Sequence, residues 1–175
     1  MSHVEEVAAR IVAIPDHPEP GVTFRDITPV FADPAALAAA VHHLTDVTRD
    51  LGVQRVIAAE ARGFLLGPAL ALELGAGFLL ARKPGKLPRD TLAVEYALEY
   101  GSDQLEVHAD LLEPGTRVLV HDDLLATGGT AEALCRLVED LGGEVVACSF
   151  LVELSALGGR ARLAPHAVHS LVTYD

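Results

Sequence analysis

The chain has 175 residues, 50% of them hydrophobic, enough for one domain with a substantial buried core. No apolar run approaches the roughly 18 residues that a membrane-crossing helix needs, so no membrane association is expected. The formal net charge of -12 argues against a general nucleic-acid binder, which would turn a basic face to phosphates.

In chain order, the opening MSHVEEVAARIVAIPDHPEPG carries acids early and lacks the basic-then-greasy layout of an export signal, so a cytoplasmic protein is expected. Through PDHPEPGVTFRDITPVF the chain is too rich in proline for sheet core and suits a small cap, residues 1–33. QRVIAAE reads as a buried strand, ARGFLLGPALALELG as a turn and helix, and GFLLAR as a second strand. The only two lysines, Lys83 and Lys86, follow in ARKPGKLPRD beside Arg82 and Arg89. On charge alone this segment is either an attractor for anions or a solvated loop. TLAVEYALEYGSDQLEVHAD reads as two antiparallel strands around Gly101-Ser102-Asp103.

RVLVHDD followed by TAEALCRLVEDLGG repeats the strand–turn–helix unit. Leu134, Leu137, Val138 and Leu141 share one helix face, and Gly142-Gly143 ends the helix. EVVACSFLVEL and AVHSLVTY are further strands. The expected class is therefore α/β, a mostly parallel twisted sheet flanked by helices, with a small N-terminal cap and a projecting antiparallel hairpin. Cys135, in a helix, and Cys148, in a strand, fit neither a disulfide framework nor a zinc motif, and read as small buried hydrophobes in a reducing compartment.

The chemistry concentrates in VLVHDDLLATGGT. In an open parallel sheet, ligands bind beyond the carboxyl ends of the strands. Asp122 and Asp123 stand at such an end. The turn from Ala126 to Thr130 supplies two hydroxyls and, through Gly128 and Gly129, a close backbone approach. The following helix offers unpaired N–H groups and its positive end, an anion site. Phosphate on the loop and hydroxyls on the acids describe a phosphorylated sugar. Neither the nucleotide P-loop nor the dinucleotide fingerprint is present.

VLVHDDLLATGGT resembles the phosphoribosyl-pyrophosphate (PRPP) loop of type I phosphoribosyltransferases. PGVTFRDITP, EARGFLLGPAL, RKPGKLPRDT, YALEYGSDQLEVH, EPGTRVLV and LVELSALGGR narrow the resemblance to the adenine phosphoribosyltransferase family, in that family's order over nearly the whole chain. The resemblance implies that Ala126, Thr127, Gly128, Gly129 and Thr130 wrap the 5'-phosphate of PRPP. Asp122 and Asp123 would hold the ribose hydroxyls, directly or through magnesium waters. Magnesium would be bound mainly by PRPP and water, with no dedicated protein cage. Arg62 would be the cation of a pyrophosphate loop, joined by Arg82, Lys83 and Lys86 on a mobile loop that closes over PRPP, residues 82–108 including the hairpin. Glu99 would be the catalytic carboxylate that manages the purine's proton. Spacing does not distinguish it from Glu95, Asp103 and Glu106. Phe24 would stack on adenine, with Val22, Thr23 and Arg25 making main-chain contacts; Asp26 reads as structural, and Tyr96 and Tyr100 as packing.

The expected reaction is therefore adenine plus PRPP giving AMP and pyrophosphate, through an oxocarbenium-like transition state, by a single domain acting as a homodimer in purine salvage. Two alternatives stand beside it: a PRPP-sensing regulator of the same fold, and a transferase for another base. The charge and the retained Glu99 weigh against the first, and the FRDI cap and the LEYG string against the second. His121, directly before the aspartates where this family has an aliphatic residue, reads as a core or subunit-contact histidine, or as a residue that tunes its neighbours.

Overall fold

The computed structural model describes residues 2–97 and 102–175. Its contacts group the chain up to His43 in one compact unit and Leu44–Asp175 in another. In the first unit, α1 (His3–Ala8) opens on a capping box. Ser2 Oγ accepts the Glu5 N–H at 3.3 Å and the Glu5 carboxylate accepts the Ser2 N–H at 2.8 Å. Two short strands, β1 (Val12–Ile14) and β2 (Phe24–Asp26), pair antiparallel. This pairing was not anticipated from sequence. Pro15, Pro18 and Pro20 lie in the connection rather than in either strand, so they do not interrupt the ladder. Then come α2 (Thr28–Ala32) and α3 (Pro34–Asp46), within which the boundary between the units falls. Asp26 Oδ1 accepts the Thr28 N–H at 2.9 Å, and Asp33 Oδ1 those of Ala35 and Ala36 at 2.9 and 3.1 Å, so each carboxylate satisfies a helix start.

The second unit contains β3 (Arg55–Ala59), a 3-10 turn at Arg62–Leu65, α4 (Gly67–Glu73), β4 (Gly77–Ala81), β5 (Thr91–Ala97), β6 (Ser102–His108), β7 (Arg117–Leu125), α5 (Gly129–Asp140), β8 (Glu144–Leu154), α6 (Gly159–Arg162) and β9 (Val168–Tyr174). Five strands form one parallel sheet in the order β4-β3-β7-β8-β9. The strands are nearly continuous apolar runs because both sheet faces are covered. Along β7, Val118 and Val120 join the larger core with Phe150 of β8 and Leu134, Leu137 and Val138 of α5; Leu119, between them, joins a smaller cluster with Val56, Ala71 and Ala147. That alternation is the period-two geometry of a strand between two layers. β5 and β6 make a separate antiparallel pair, with Val94 opposite Leu105 and Leu92 opposite Val107, and this apolar face is part of the larger core. The turn between them falls largely outside the described residues.

α5 stops where expected. Gly142 adopts φ 82°, and the Gly143 N–H reaches the Val138 carbonyl at 2.9 Å. The thiols of Cys135 and Cys148 are both buried, their Sγ atoms 3.6 Å apart between α5 and β8. β7 runs past the two aspartates to Leu125, because Leu124 and Leu125 continue the ladder opposite Val152 and Glu153. No described helix is long and apolar enough to cross a membrane.

The sheet order reverses between β3 and β7: the chain proceeds from β3 outward to β4, and from β7 outward through β8 to β9. A crevice opens at such a reversal, beyond the carboxyl ends of the two strands. The integrity of that end depends on the core beneath it. Phe150, with no exposed surface, is among its largest members. Phe150→Ala should lower the unfolding free energy by about 3–5 kcal/mol in urea titration, through lost burial and an unfilled cavity.

Candidate functional site

β3 and β7 deliver two corners to the crevice. β3 ends at Ala59 and passes into Glu60-Ala61-Arg62, whose first peptide bond is cis. β7 carries Asp122 and Asp123, then the loop Ala126–Thr130 leads into α5. Gly128 is the N-cap residue of that helix at φ 83°, a conformation that favours glycine. The first N–H groups of α5 have no carbonyl four residues earlier in the helix to bond, so they and the positive helix end face the loop. A cavity of about 220 Å³ is lined by Arg62, Asp122, Asp123 and every residue from Ala126 to Thr130.

A second cavity of about 210 Å³ shares Arg62, Asp122, Asp123 and Thr130 with the first and adds Glu60, Lys83 and Tyr96. The structure thus brings together the two aspartates, the loop, Arg62 and Lys83. Asp123 is 4% exposed, and its Oδ2 lies 3.1 Å from Arg62 Nε, the only ion pair it makes among the described residues. That contact lacks hydrogen-bond alignment. The Asp123 N–H donates to Asp122 Oδ1 at 2.9 Å. Burial first, then the adjacent Asp123 charge, push the Asp122 carboxyl well above the ordinary carboxylate range. A donor or cation arriving beside Asp122 therefore favours its charged form. Among the described residues no group of three or more His, Cys, Asp or Glu side chains is placed to hold a metal.

The basic segment meets four carboxylates, Glu60, Asp103, Glu106 and Asp110. Glu60 Oε1 accepts the Lys83 backbone N–H at 2.5 Å, and Glu60 Oε2 lies 2.9 Å from Lys86 Nζ and 3.4 Å from Arg82 Nη2. Burial alone would raise the Glu60 pKa, but these partners together hold it down at about 2. The Lys83 ammonium pairs with Asp103, and the Tyr96 hydroxyl stands 3.4 Å from the former and 3.3 Å from the latter. Glu106 Oε1 accepts the Gly85 N–H at 3.0 Å. Arg89 pairs instead with Asp110. Sequence reasoning did not single out Glu60, Asp103 or the polar contacts of Tyr96. For Glu60 a signal existed: it is an acid directly following the greasy run of β3, at the same carboxyl end of the sheet as Asp122.

Val22, Phe24 and Arg25 belong to the first unit. Phe24, half-buried on β2, meets the His17 ring edge-on with centroids 5.2 Å apart. Arg25 is opposite Ala13 in the β1–β2 ladder, and the exposed Val22 accepts the His17 N–H through its carbonyl at 3.0 Å. Glu99 and Tyr100 lie outside the described residues.

With this geometry in hand, residues 28–167 match the family model of the phosphoribosyl transferase domain. An adenine phosphoribosyltransferase from Rubrobacter xylanophilus is 58% identical over 172 residues, 98% of this chain and 93% of that protein. The crystal structure of an adenine phosphoribosyltransferase from Thermoanaerobacter pseudethanolicus superimposes with a TM-score of 0.93 at 47% identity, covering 98% of this chain and 99% of the other. The Saccharomyces cerevisiae adenine phosphoribosyltransferase, solved with an imino-altritol bisphosphate and adenine, gives a TM-score of 0.90 at 35% identity over 97% and 98% of the two chains.

His121 stands one residue before the paired acids, yet its Nδ1 bonds Ser149 Oγ of β8 at 3.0 Å and its Nε2 is buried with no hydrogen-bond partner among the described residues. Burial lowers its pKa from 6.5 to about 4, and the bond to Ser149 offsets only part of that. The folded protein therefore keeps the imidazole neutral where the unfolded chain would protonate it. This contribution to stability is complete above about pH 6.5 and is lost progressively as pH falls towards about 4. Relative to His121→Val, the parent protein should lose roughly 3 kcal/mol more stability between those pH values, read as the difference in slope of urea-unfolding free energy against pH. Activity–pH profiles of the two near neutrality should coincide; a shifted profile would mean that the imidazole tunes the aspartates.

Proposed function

The chain belongs to the adenine phosphoribosyltransferase family, and on that footing we propose that it transfers the 5-phosphoribosyl group of PRPP to N9 of adenine, giving AMP and pyrophosphate for purine salvage. The observation that carries this reading is the convergence, at the sheet's reversal point, of the Asp122–Asp123 pair, the Ala126–Thr130 loop and the cations Arg62 and Lys83 around two cavities with shared walls. A phosphorylated sugar bearing a pyrophosphate presents matching parts. The 5'-phosphate takes the loop and the N-terminus of α5, the ribose hydroxyls take Asp122 and Asp123, and the pyrophosphate takes Arg62, Lys83, Arg82 and Lys86.

Positive charge around the leaving pyrophosphate stabilises the charge it acquires as the anomeric bond breaks. Glu99 exchanges the proton that the purine must lose as N9 attacks. Phe24 stacks on adenine, and main-chain groups of Val22 and Arg25 read its edge; carbonyl acceptors there favour adenine's amine over an oxopurine. Asp122 and Asp123 would hold magnesium through bound water, where it would supply further positive charge to the leaving pyrophosphate. The protein acts as a homodimer, a reading supported by three exposed leucines, Leu65 in the Arg62 turn, Leu72 on α4 and Leu80 on β4, of which Leu72 is 82% exposed. It works in the cytoplasm, which suits two unbonded thiols 3.6 Å apart.

The test is pyrophosphate release with PRPP and magnesium over adenine, hypoxanthine, guanine, xanthine and uracil. Release is expected with adenine alone. Glu99→Ala should cut turnover by about 100- to 10,000-fold while PRPP binding is kept. Release with another base would overturn the assignment of the cap; PRPP binding without release from any base would favour a PRPP-sensing regulator.

A further inference from the structure

The string LVELSALGGR takes no part in the chemistry above, yet it folds against the loop that does. It comprises the end of β8, a 3-10 turn at Ser155–Leu157 and the start of α6. Gly158 turns the chain at φ 72°. Gly159 then comes so close to the loop that a Cβ there would stand 2.3 Å from the Ala126 carbonyl oxygen and 2.8 Å from Leu125 Cδ1. From the opposite side, a Cβ on Gly128 would stand 3.0 Å from the Gly159 carbonyl oxygen and 3.2 Å from its Cα. The two backbones rest on each other without a side chain between them. Any displacement of α6 is passed to the loop.

α6 has four residues, too few to hold its place by its own hydrogen bonds. Side chains hold it instead. Arg160 Nε and Nη2 donate to Glu153 Oε1 and Oε2 at 2.9 and 2.5 Å, and Nη1 donates to the Val168 carbonyl at 2.7 Å. Ser170 Oγ donates to Glu153 Oε2 at 2.6 Å. Glu153 is 3% exposed and pairs in the ladder with Leu125, the last residue of β7 before the loop. One residue pair thus ties α6 to β8 and β9 at the level where the loop begins. On the far side, Arg162 Nε reaches Glu132 Oε2 of α5 at 2.8 Å.

We propose that Arg160, acting through Glu153, is a positioning residue for the Ala126–Thr130 loop: it fixes α6 as the backing that sets where the loop's N–H groups stand. This rests on reading that loop as the 5'-phosphate site. Arg160 touches no reacting atom; its influence passes through Gly159 to Gly128 and Ala126. The two-pronged guanidinium is required, because a lysine ammonium cannot engage both Glu153 oxygens and the Val168 carbonyl in one plane. A displacement of about 1 Å in a positioning element costs up to about 100-fold, so the phosphate end of the substrate should feel the loss while the pyrophosphate end does not.

The experiment is calorimetric titration of ribose 5-phosphate and, separately, inorganic pyrophosphate into the parent protein, Arg160→Lys and Gly159→Ala. The first variant loosens the clamp; the second keeps the clamp and pushes on the Ala126 carbonyl. Both should weaken ribose 5-phosphate by about tenfold or more and leave pyrophosphate within about twofold, and both should raise KM for PRPP with KM for adenine unchanged. Unchanged ribose 5-phosphate affinity in both variants, or equal loss of both ligands, would overturn the proposal. If Arg160→Lys does not fold, Glu153→Gln takes its place under the same criteria. A parent protein that binds pyrophosphate but not ribose 5-phosphate would instead sink the reading of the loop, and this inference with it.

Discussion

Everything at the functional end of this protein depends on two parallel strands, β3 and β7, lying side by side while their connections depart in opposite directions. No helix can cover the gap between them. Their carboxyl ends therefore offer backbone and side-chain groups to the same small volume: the Glu60–Arg62 corner from one, Asp122, Asp123 and the glycine loop from the other. The helix after the second corner adds its unpaired N–H groups without further design. Up to the corners the two strands are ordinary buried runs, Val56 to Ala59 in β3 and Val118 to Val120 in β7; the unusual residues, His121, Asp122 and Asp123, come only at the carboxyl end of β7.

The electrostatics are those of a site that compensates its own charges. Arg62 leans on Asp123; Arg82, Lys86 and the Lys83 amide converge on Glu60; the Lys83 ammonium takes Asp103. Half-buried cations without counter-ions are costly to desolvate. Pairing them with carboxylates keeps them in place and keeps the basic segment folded onto the sheet. Asp122 is the exception, a carboxyl whose burial beside another acid favours its neutral form, and so the group in the crevice with most to gain from a donor.

Much of this was legible in the sequence, for a physical reason. Buried parallel strands appear as uninterrupted apolar runs, and glycine turns after them mark the corners, so β3, β4, β7, β8 and β9, the helix α5 and the Asp122–Thr130 constellation could all be read locally. What escaped was non-local. Glu60's partners lie more than twenty residues away along the chain and no periodicity reports them. The β1–β2 pairing was hidden because prolines dominate the composition of its connection while the flanking residues do the pairing. β7 extends past the aspartates because of its neighbour's register, which its own residues do not encode. For Glu99, local spacing offered no choice among four nearby acids.

The shared grip on Glu60 has a consequence for how this crevice responds to its surroundings. An anion entering beside Arg82 and Lys86 would not meet bare charge; it would compete with the Glu60 carboxylate already there. Entry is thus an exchange of one counter-ion for another, with little net charge brought to the cations. Added salt should screen the incoming and outgoing anions alike, leaving affinity at this corner far less sensitive to ionic strength than the tally of basic side chains would suggest.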